Sequence, residues 1–377
     1  MSGHPSAGWL QEGKATFRVG AAFYRARSAR TRDLGTLAAV LVRRRLGRLT
    51  VLDAMTGCGV RSLRYALEAE ADVLWVNDGN PELRSLIEAN LALHLSPSRY
   101  RISSLSAQRL LAQVVHQGDR FDWLDLDCFG SPAASLSLAI AATTVDGCLY
   151  LTATDGKSLA GQQSSAALKH FGSYTRHHPA VHEQGVRVLI GLAAQQARHQ
   201  GLDILPLFSL FCGQTYRVLL RLLPRAAAGD HHCGFLGYCH HCGQFYSVPW
   251  RKLNSIRCSL HDGERPLVLS GPMWLGPIHD SKFLDRMSRL AQEWKWSSYV
   301  PLLQRMQTEA HLPPYYVLLS EIGRRGKMDI PARDKLIQSL TQKGYATCRS
   351  SIVAQAIKTH ALMPVILDAA REIQTLK

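Results

Sequence analysis

At 377 residues, 46% hydrophobic and 19% charged, the chain is too long for one ordinary core and too apolar for intrinsic disorder. Its formal net charge of +15 and pI near 9.6 point to a polyanionic partner, nucleic acid foremost. No run reaches the roughly eighteen apolar residues of a membrane span, and "MSGHPSAGWLQEGKA" lacks the layout of a secretory signal, so a soluble protein is expected.

The basic charge is concentrated early. Residues 14–48 read "KATFRVGAAFYRARSARTRDLGTLAAVLVRRRLGR", with Asp33 the only acid and Phe17, Phe23 and Tyr24 among the arginines. Guanidinium groups suit phosphates and aromatic faces suit unstacked bases, which fits an RNA-facing arm. From there strands and helices alternate. "LTVLDAM" (49–55), "DVLWVND" (72–78), "YRISSL" (100–105), "FDWLDLDCF" (121–129) and "GCLYLTATD" (147–155) read as strands. Helices are expected over 60–71, 81–93, 107–117, 133–143 and 178–200. Two further strands, "LDILPLFSLF" and "TYRVLLRLL", follow without a helix between them and form a hairpin. Such alternation implies a mostly parallel sheet covered on both faces. "PRAAAGD" (224–230) interrupts it, a cysteine- and histidine-rich stretch covers 231–261, and the remainder is helical. There "LLSEIGRRG", "PARDKLIQSLTQKGY" and "SSIVAQAIKTHA" suggest three helices spaced as in a winged-helix-like module.

The first strand-to-helix turn, "VLDAMTGCGVRSLRYA", carries Asp53, Gly57 and Gly59. Glycines there let backbone amides approach a ligand, and the helix N-terminus favours negative charge. A dinucleotide fingerprint needs a third glycine three residues on, where Ser62 stands. With Asp78 ending the next strand, placed for ribose hydroxyls, the pattern fits S-adenosylmethionine better than NAD. A tight structural turn is the competing reading of the glycines alone.

The fourth strand ends in "DLDCFGSP" (125–132). Carboxylates closing a buried strand are costly unless something compensates them. An amino-methyltransferase has a use for one. An acceptor on the N–H bonds of an exocyclic amine draws that nitrogen toward tetrahedral geometry and frees its lone pair for the methyl group. Asp127 can be that acceptor, and Phe129, two residues on, can stack on the base. The bland alternative is a structural aspartate at a strand end.

Taken together, these motifs resemble those of the tRNA (guanine-N2)-dimethyltransferase family, which modifies guanosine 26 of tRNA. "FYRARSARTRD" (23–33), "DAMTGCGVRSLRYA" (53–66), Asn77-Asp78, "DLDCFGSP", "TATD" (152–155) with "LAG" (159–161), and "GPMWLG" (271–276) carry the resemblance over most of the chain. It implies a class I S-adenosylmethionine-dependent, Rossmann-like α/β domain, a zinc-binding insert and a mostly helical C-terminal domain. It further implies that Asp127 holds the guanine amino group while Phe129 and Phe23 clamp the base. Arg32, Asp33, Asp53, Gly57, Arg61 and Asp78 are then the cofactor pocket, with Arg32 near the methionine carboxylate. The departures are Cys128 for a proline, Arg25-Ala26 for Asn-Pro, and Thr31 for Asn. A cysteine at 128 keeps the carbonyl beside Asp127, so activity is expected to survive. The buried amine of a paired guanine also requires that the nucleotide be extruded or its pair opened.

The expected layout is a basic N-terminal arm or helix (1–48), a methyltransferase domain (49–225), a zinc module (231–280) and a tRNA-binding C-terminal domain (281–377). A cytoplasmic monomer acting on tRNA is expected. Rival readings are an amino-methyltransferase of another RNA or of DNA, and a non-catalytic tRNA-binding protein with a decayed site.

The nine cysteines are an odd number scattered through a long chain, which argues against a disulfide framework. Four of the possible metal donors fall in a pattern. Cys239 and Cys242 form a Cys-x-x-Cys followed by Gly243, and Cys258 and His261 repeat the spacing after a hairpin-length gap. Three thiolates and an imidazole suit one structural, tetrahedral zinc. The resemblance supports a metal here but expects a fourth cysteine in place of His261, and His240, His241 and Cys233 compete for that role.

Overall fold

The computed structural model describes residues 8–225, 232–261 and 266–375, so residues 1–7 and most of the "PRAAAGD" stretch lie outside the described residues. The chain forms two compact units. The first comprises the described residues of Met1–Ala153, Gln196–Leu205 and Leu219–Ala228.

Strands β1 (Trp9–Glu12) and β2 (Ala15–Arg18) form an antiparallel pair around Gly13, whose φ is 57°. Helix α1 (Ala29–Leu46) follows. Its run from Leu34 to Val42 is buried, and Gly47 ends it in the left-handed conformation. What reads as a basic arm is therefore a core helix with charged ends. Then come β3 (Thr50–Asp53), α2 (Val60–Leu67), β4 (Val73–Asn77), α3 (Arg84–Ala92), β5 (Tyr100–Ser103), α4 (Ala107–Gln117), β6 (Phe121–Leu126), α5 (Ala133–Ala141) and β7 (Thr143–Ala153). Local chemistry sets the boundaries. Ser106 accepts from the Arg109 amide at 3.4 Å to start α4, and Gly118, at φ 76°, closes it.

Helices α6 (Gly156–Leu159), α7 (Ser164–Phe171) and α8 (Val181–His199) precede the strands β8 (Leu202–Cys212) and β9 (Thr215–Pro224). The seven-stranded sheet has the order β5-β4-β3-β6-β7-β9-β8, and the pairs from β5 to β7 are parallel. After β5 the chain returns to lie on the other side of β3, so the strand order reverses between β3 and β6. Ligands of open α/β sheets bind at the carboxyl ends of the strands flanking such a reversal. Asp53 and Asp125 are register partners there.

The second unit comprises the described residues of Thr154–Gln195, Pro206–Val218 and Gly229–Lys377. Strands β10 (Cys233–Tyr238), β11 (Phe245–Val248) and β12 (Val268–Trp274) form an antiparallel sheet of order β11-β10-β12. Beyond it run α9 (Ser281–Glu293), α10 (Val300–Glu309), β13 (Val317–Leu318), α11 (Leu319–Gly326), α12 (Arg333–Gln342), β14 (Thr347–Arg349), β15 (Ala356–Thr359) and α13 (Met363–Thr375). Helix, strand, two helices and an antiparallel hairpin, with sheet order β13-β15-β14, is a winged-helix arrangement.

"SSIVAQAIKTHA" differs from expectation: it holds a turn and β15 rather than a helix. Ser350 accepts from the amides of Ile352 and Val353 at 3.1 and 3.4 Å, a local bond that competes with helix formation. Thr347 and Thr359 then pair across the strands at 2.8 Å.

Candidate active site and metal cluster

The β3–α2 turn is built for close approach. Gly57 and Gly59 take φ values of 62° and 86°, and a side chain at Gly57 would stand 3.3 Å from the carbonyl oxygen of Phe23. The Gly57 amide donates to Asp78 Oδ2 at 2.8 Å, and the Asn80 amide donates to Asp78 Oδ1 at 2.9 Å. Asp78 thus fixes the loop from the end of β4. Asp53 Oδ2 accepts from Thr56 at 2.8 Å and Ser62 at 2.7 Å, while among the described residues Asp53 Oδ1 is buried with no partner. An orphaned carboxylate oxygen beside two left-handed glycines and the start of a helix fits a polar small molecule such as S-adenosylmethionine.

Asp53 is wholly buried, and its carboxyl is pushed up to about 7, first by burial and then by the charge of Asp125, against Ser62, Arg61 and Thr56. An acid whose folded pKa exceeds its unfolded value binds its proton more tightly when folded. Stability therefore falls as pH rises from about 4 to about 7. Asp53→Asn should remove this slope, so its melting temperature should gain on the wild type as pH rises from about 4 to about 7 and hold that gain above it. Parallel melts of the two proteins across that range check the expectation; equal slopes would refute it.

At the end of β6, Asp125 is buried and accepts from Tyr65 Oη at 2.6 Å and from Arg61 Nη1 at 3.5 Å. Arg61, buried as well, also pairs with Asp127 Oδ2. Asp127 is half-buried, whereas Phe129 and Phe23 are 88% and 69% exposed, apolar rings left facing solvent. The Arg25 guanidinium lies 4.8 Å from the Phe23 ring centre. Cys128 is buried and in no disulfide. The structure thus brings Arg61 to Asp125, in β6, and to Asp127, just beyond its end.

Arg32 and Asp33, expected beside the cofactor, join an ion network. Arg32 donates to both oxygens of Glu12, at 2.7 and 2.5 Å, and Asp33 pairs with Arg64. Arg64, fully buried, also reaches Glu12 at 3.0 Å and Glu68 at 2.8 Å. Burial pushes the Glu12 carboxyl up, but Arg32 and Arg64 outweigh it and hold it below the usual carboxylate range. Sequence reading missed Glu12, Arg64 and Glu68; only the Arg64–Glu68 helical spacing could have signalled them. Two of the α1 arginines also have protein partners: Arg43 bonds Asp72 at 3.0 Å, and Arg45 donates to the Asp146 carbonyl at 2.5 Å.

In the second unit the turn between β10 and β11 carries Cys239 and Cys242. Their sulfurs, the Cys258 sulfur and a ring nitrogen of His261 lie within 4.8 Å of one another. Cys239 Sγ is 3.2 Å from His261 Nε2, and Cys242 Sγ is 3.4 Å from Cys258 Sγ. Three sulfurs and an imidazole nitrogen converging this closely fit a tetrahedral zinc. Cys233 stands at the opposite end of β10, paired with Trp274.

A parallel sheet reversing at β3 and β6, with a glycine loop on one side and carboxylates on the other, is the class I methyltransferase fold. The chain belongs to the N2,N2-dimethylguanosine tRNA methyltransferase family, whose sequence profile matches residues 10–371. It is similar to the tRNA (guanine(26)-N(2))-dimethyltransferase of Pyrococcus horikoshii, with 29% identity over 97% of this chain and 98% of that protein. The enzyme of the same name from Metallosphaera sedula is 31% identical over 88% of this chain and 84% of its own. The solved structure of Trm1 from Pyrococcus horikoshii with S-adenosyl-L-methionine superposes with a TM-score of 0.83 at 27% identity, covering 96% of this chain and 99% of that one. Among the described residues no helix is long and apolar enough to cross a membrane.

Proposed function

We propose that this chain is an S-adenosylmethionine-dependent transferase that methylates the exocyclic N2 amino group of guanosine 26 in tRNA, first to the mono- and then to the dimethyl form. Asp127, at the sheet edge where the strand order reverses and flanked by the exposed ring of Phe129, carries the reading. When bound, S-adenosylmethionine supplies an electrophilic methyl group on its sulfonium. The chain's own residues do the rest. Arg61 bonds Oδ2 of Asp127 and so orients the carboxylate. Asp127 accepts from the amino N–H, localises the nitrogen lone pair and is placed to take the proton the nitrogen sheds. Phe129 and Phe23 stack on the extruded base. Gly57, Asp53 and Asp78 form the cofactor cradle, completed by Arg61, with Arg32 and Asp33 on its border.

We assign the regions 1–48, 49–225, 231–280 and 281–377 to the N-terminal helix, catalytic, zinc and tRNA-binding parts of a cytoplasmic monomer. An odd number of cysteines scattered through a long chain, three of them in the metal cluster, supports a reducing compartment. Tritiated S-adenosylmethionine with bulk tRNA, followed by nucleoside analysis, tests the reaction. Label in N2-methylguanosine and N2,N2-dimethylguanosine is expected; label elsewhere, or none, would refute it. Phe23→Ala and Phe129→Ala should each slow transfer by about 1–3 kcal/mol of lost stacking, read from single-turnover rates. Unchanged rates would remove the rings from the site.

Cys239, Cys242, Cys258 and His261 are the proposed ligands of one structural zinc, with no open position for chemistry. Elemental analysis of untagged protein should find about one zinc per chain, reduced in His261→Ala. Metal-free protein of full stability would exclude the site.

A further inference from the structure

The two residues between the first pair of cysteines, His240 and His241, present their backbone carbonyls to a single side chain. Arg325, in the last turn of α11, donates from Nη1 to the His241 oxygen at 2.7 Å and from Nη2 to the His240 oxygen at 3.1 Å. Its Nη2 also reaches Tyr238 Oη at 2.9 Å, and its Nε reaches Glu321 Oε1, one helical turn earlier, at 2.5 Å. Tyr238 Oη donates to the same Glu321 oxygen at 3.2 Å, closing the ring of contacts. The Arg325 side chain is only 8% exposed. A surface ion pair with Glu321 would not need this burial or these carbonyls.

The cysteine turn is shaped around the guanidinium. Gly243 sits at φ 83°, and a Cβ there would lie 2.4 Å from Arg325 Nε. The Gly243 amide donates to the Cys239 carbonyl at 2.8 Å, and the Cys239 amide to the Gln244 carbonyl at 3.0 Å, so the turn carrying both sulfurs is one hydrogen-bonded loop. The direction of the 240 and 241 carbonyls is therefore tied to the conformation in which Cys239 and Cys242 converge. A planar guanidinium with several donors in fixed directions reads such a backbone geometry; an ammonium cannot.

We propose that Arg325 is a positioning residue that couples the cysteine–histidine cluster to α11. Metal occupancy then sets the order of the winged-helix element and, through it, the affinity for tRNA. This rests on the zinc assignment and on the reading of residues 281–377 as a tRNA-binding region. With metal bound, the turn holds its two carbonyls toward Arg325, and Arg325 holds the end of α11. Without metal, only the turn's own hydrogen bonds and weak sulfur contacts hold the four ligands near one another, so the carbonyls lose their fixed direction and α11 loses its anchor. The zinc in this scheme takes no part in methyl transfer. It acts on substrate grip.

The test uses the full chain, as wild type and Arg325→Gln, each with zinc and after chelation. Zinc content, tRNA dissociation constant and amide hydrogen exchange across residues 319–326 are the readouts. Wild type stripped of zinc should exchange faster across 319–326 and bind tRNA more weakly, on the order of tenfold each. Arg325→Gln should keep its zinc yet show both changes already, with little further change on chelation. Arg325→Lys, which retains the charge beside Glu321 but not the fork, should behave like the glutamine variant and guards against a folding defect peculiar to one substitution. Wild-type exchange across 319–326 in both zinc-loaded variants would overturn the coupling. Protein that never contains zinc would overturn the metal assignment. Faster exchange with unchanged tRNA affinity would overturn the tRNA-binding reading of the C-terminal region and leave the contact between Arg325 and the turn standing.

Discussion

Asp127→Ala should lower single-turnover methyl transfer on the order of a hundredfold to ten-thousandfold, the range typical of a positioned acid–base group. Affinities for S-adenosylmethionine and tRNA should change little. Asp127 acts on the extruded base, whereas tRNA grip comes mainly from phosphate contacts distributed over the protein. The substitution is also well behaved structurally. Arg61, deprived of Asp127, still has Asp125 at 3.5 Å, so no buried guanidinium is left without a carboxylate. The half-buried position of Asp127 means that no large cavity forms. Asp127→Asn should fall between wild type and alanine, because its carbonyl oxygen still accepts from the amino group but carries no charge and takes up no proton. Retention of more than a tenth of the wild-type rate by the alanine variant would remove Asp127 from the reaction.

The parts of this site legible in the sequence are the local ones. Asp53, Gly57 and Asp78 announce themselves because strand, turn and helix follow within a few residues, and the Cys239/Cys242 and Cys258/His261 spacings are set by turns that sequence encodes directly. The partners of those residues were not legible. Arg61 meets Asp127 across 66 positions, and Arg64 meets Glu12 across 52, distances over which only the assembled sheet decides what touches what. The same limit explains α1. Its arginines dominate a reading by composition, yet Leu34 to Val42 are buried, and Arg43 and Arg45 close on Asp72 and the Asp146 carbonyl. It also explains "SSIVAQAIKTHA". Its periodicity suits a helix, but pairing with β14, only a few residues earlier, and the Ser350 turn favour a strand.

The largest stability effect should come from Arg64. This guanidinium is fully buried and is shared by Glu12, Asp33 and Glu68, which lie on β1, α1 and just beyond the end of α2. Removing one member of a buried ionic cluster strands the charges left behind, which typically costs about 3–5 kcal/mol, whereas replacing paired members together with apolar groups is often near neutral. Arg64→Met should therefore lower the stability of the first unit by about that amount. Glu12 retains Arg32 at 2.7 and 2.5 Å, so the stranded charge is mainly that of Glu68, 2% exposed in its side chain, and in part that of Asp33. It follows that Arg64→Met/Glu68→Met should recover much of the loss, giving a double-mutant coupling of the order of 1–3 kcal/mol. The pH dependence has a definite sign. Glu12 is held below its usual range, so its contribution is complete above its unfolded pKa near 4.3 and disappears as pH falls through the lower folded value. In Arg64→Met this acid-side loss should be smaller, because one of the two guanidinium groups that depress Glu12 is gone. Chemical denaturation of wild type, Arg64→Met, Glu68→Met and the double variant at neutral pH, repeated at about pH 3, measures both effects. Additive losses in the double variant would mean that the Arg64–Glu68 ion pair contributes nothing and that the loss in Arg64→Met comes from packing and from its other carboxylate partners, Glu12 and Asp33.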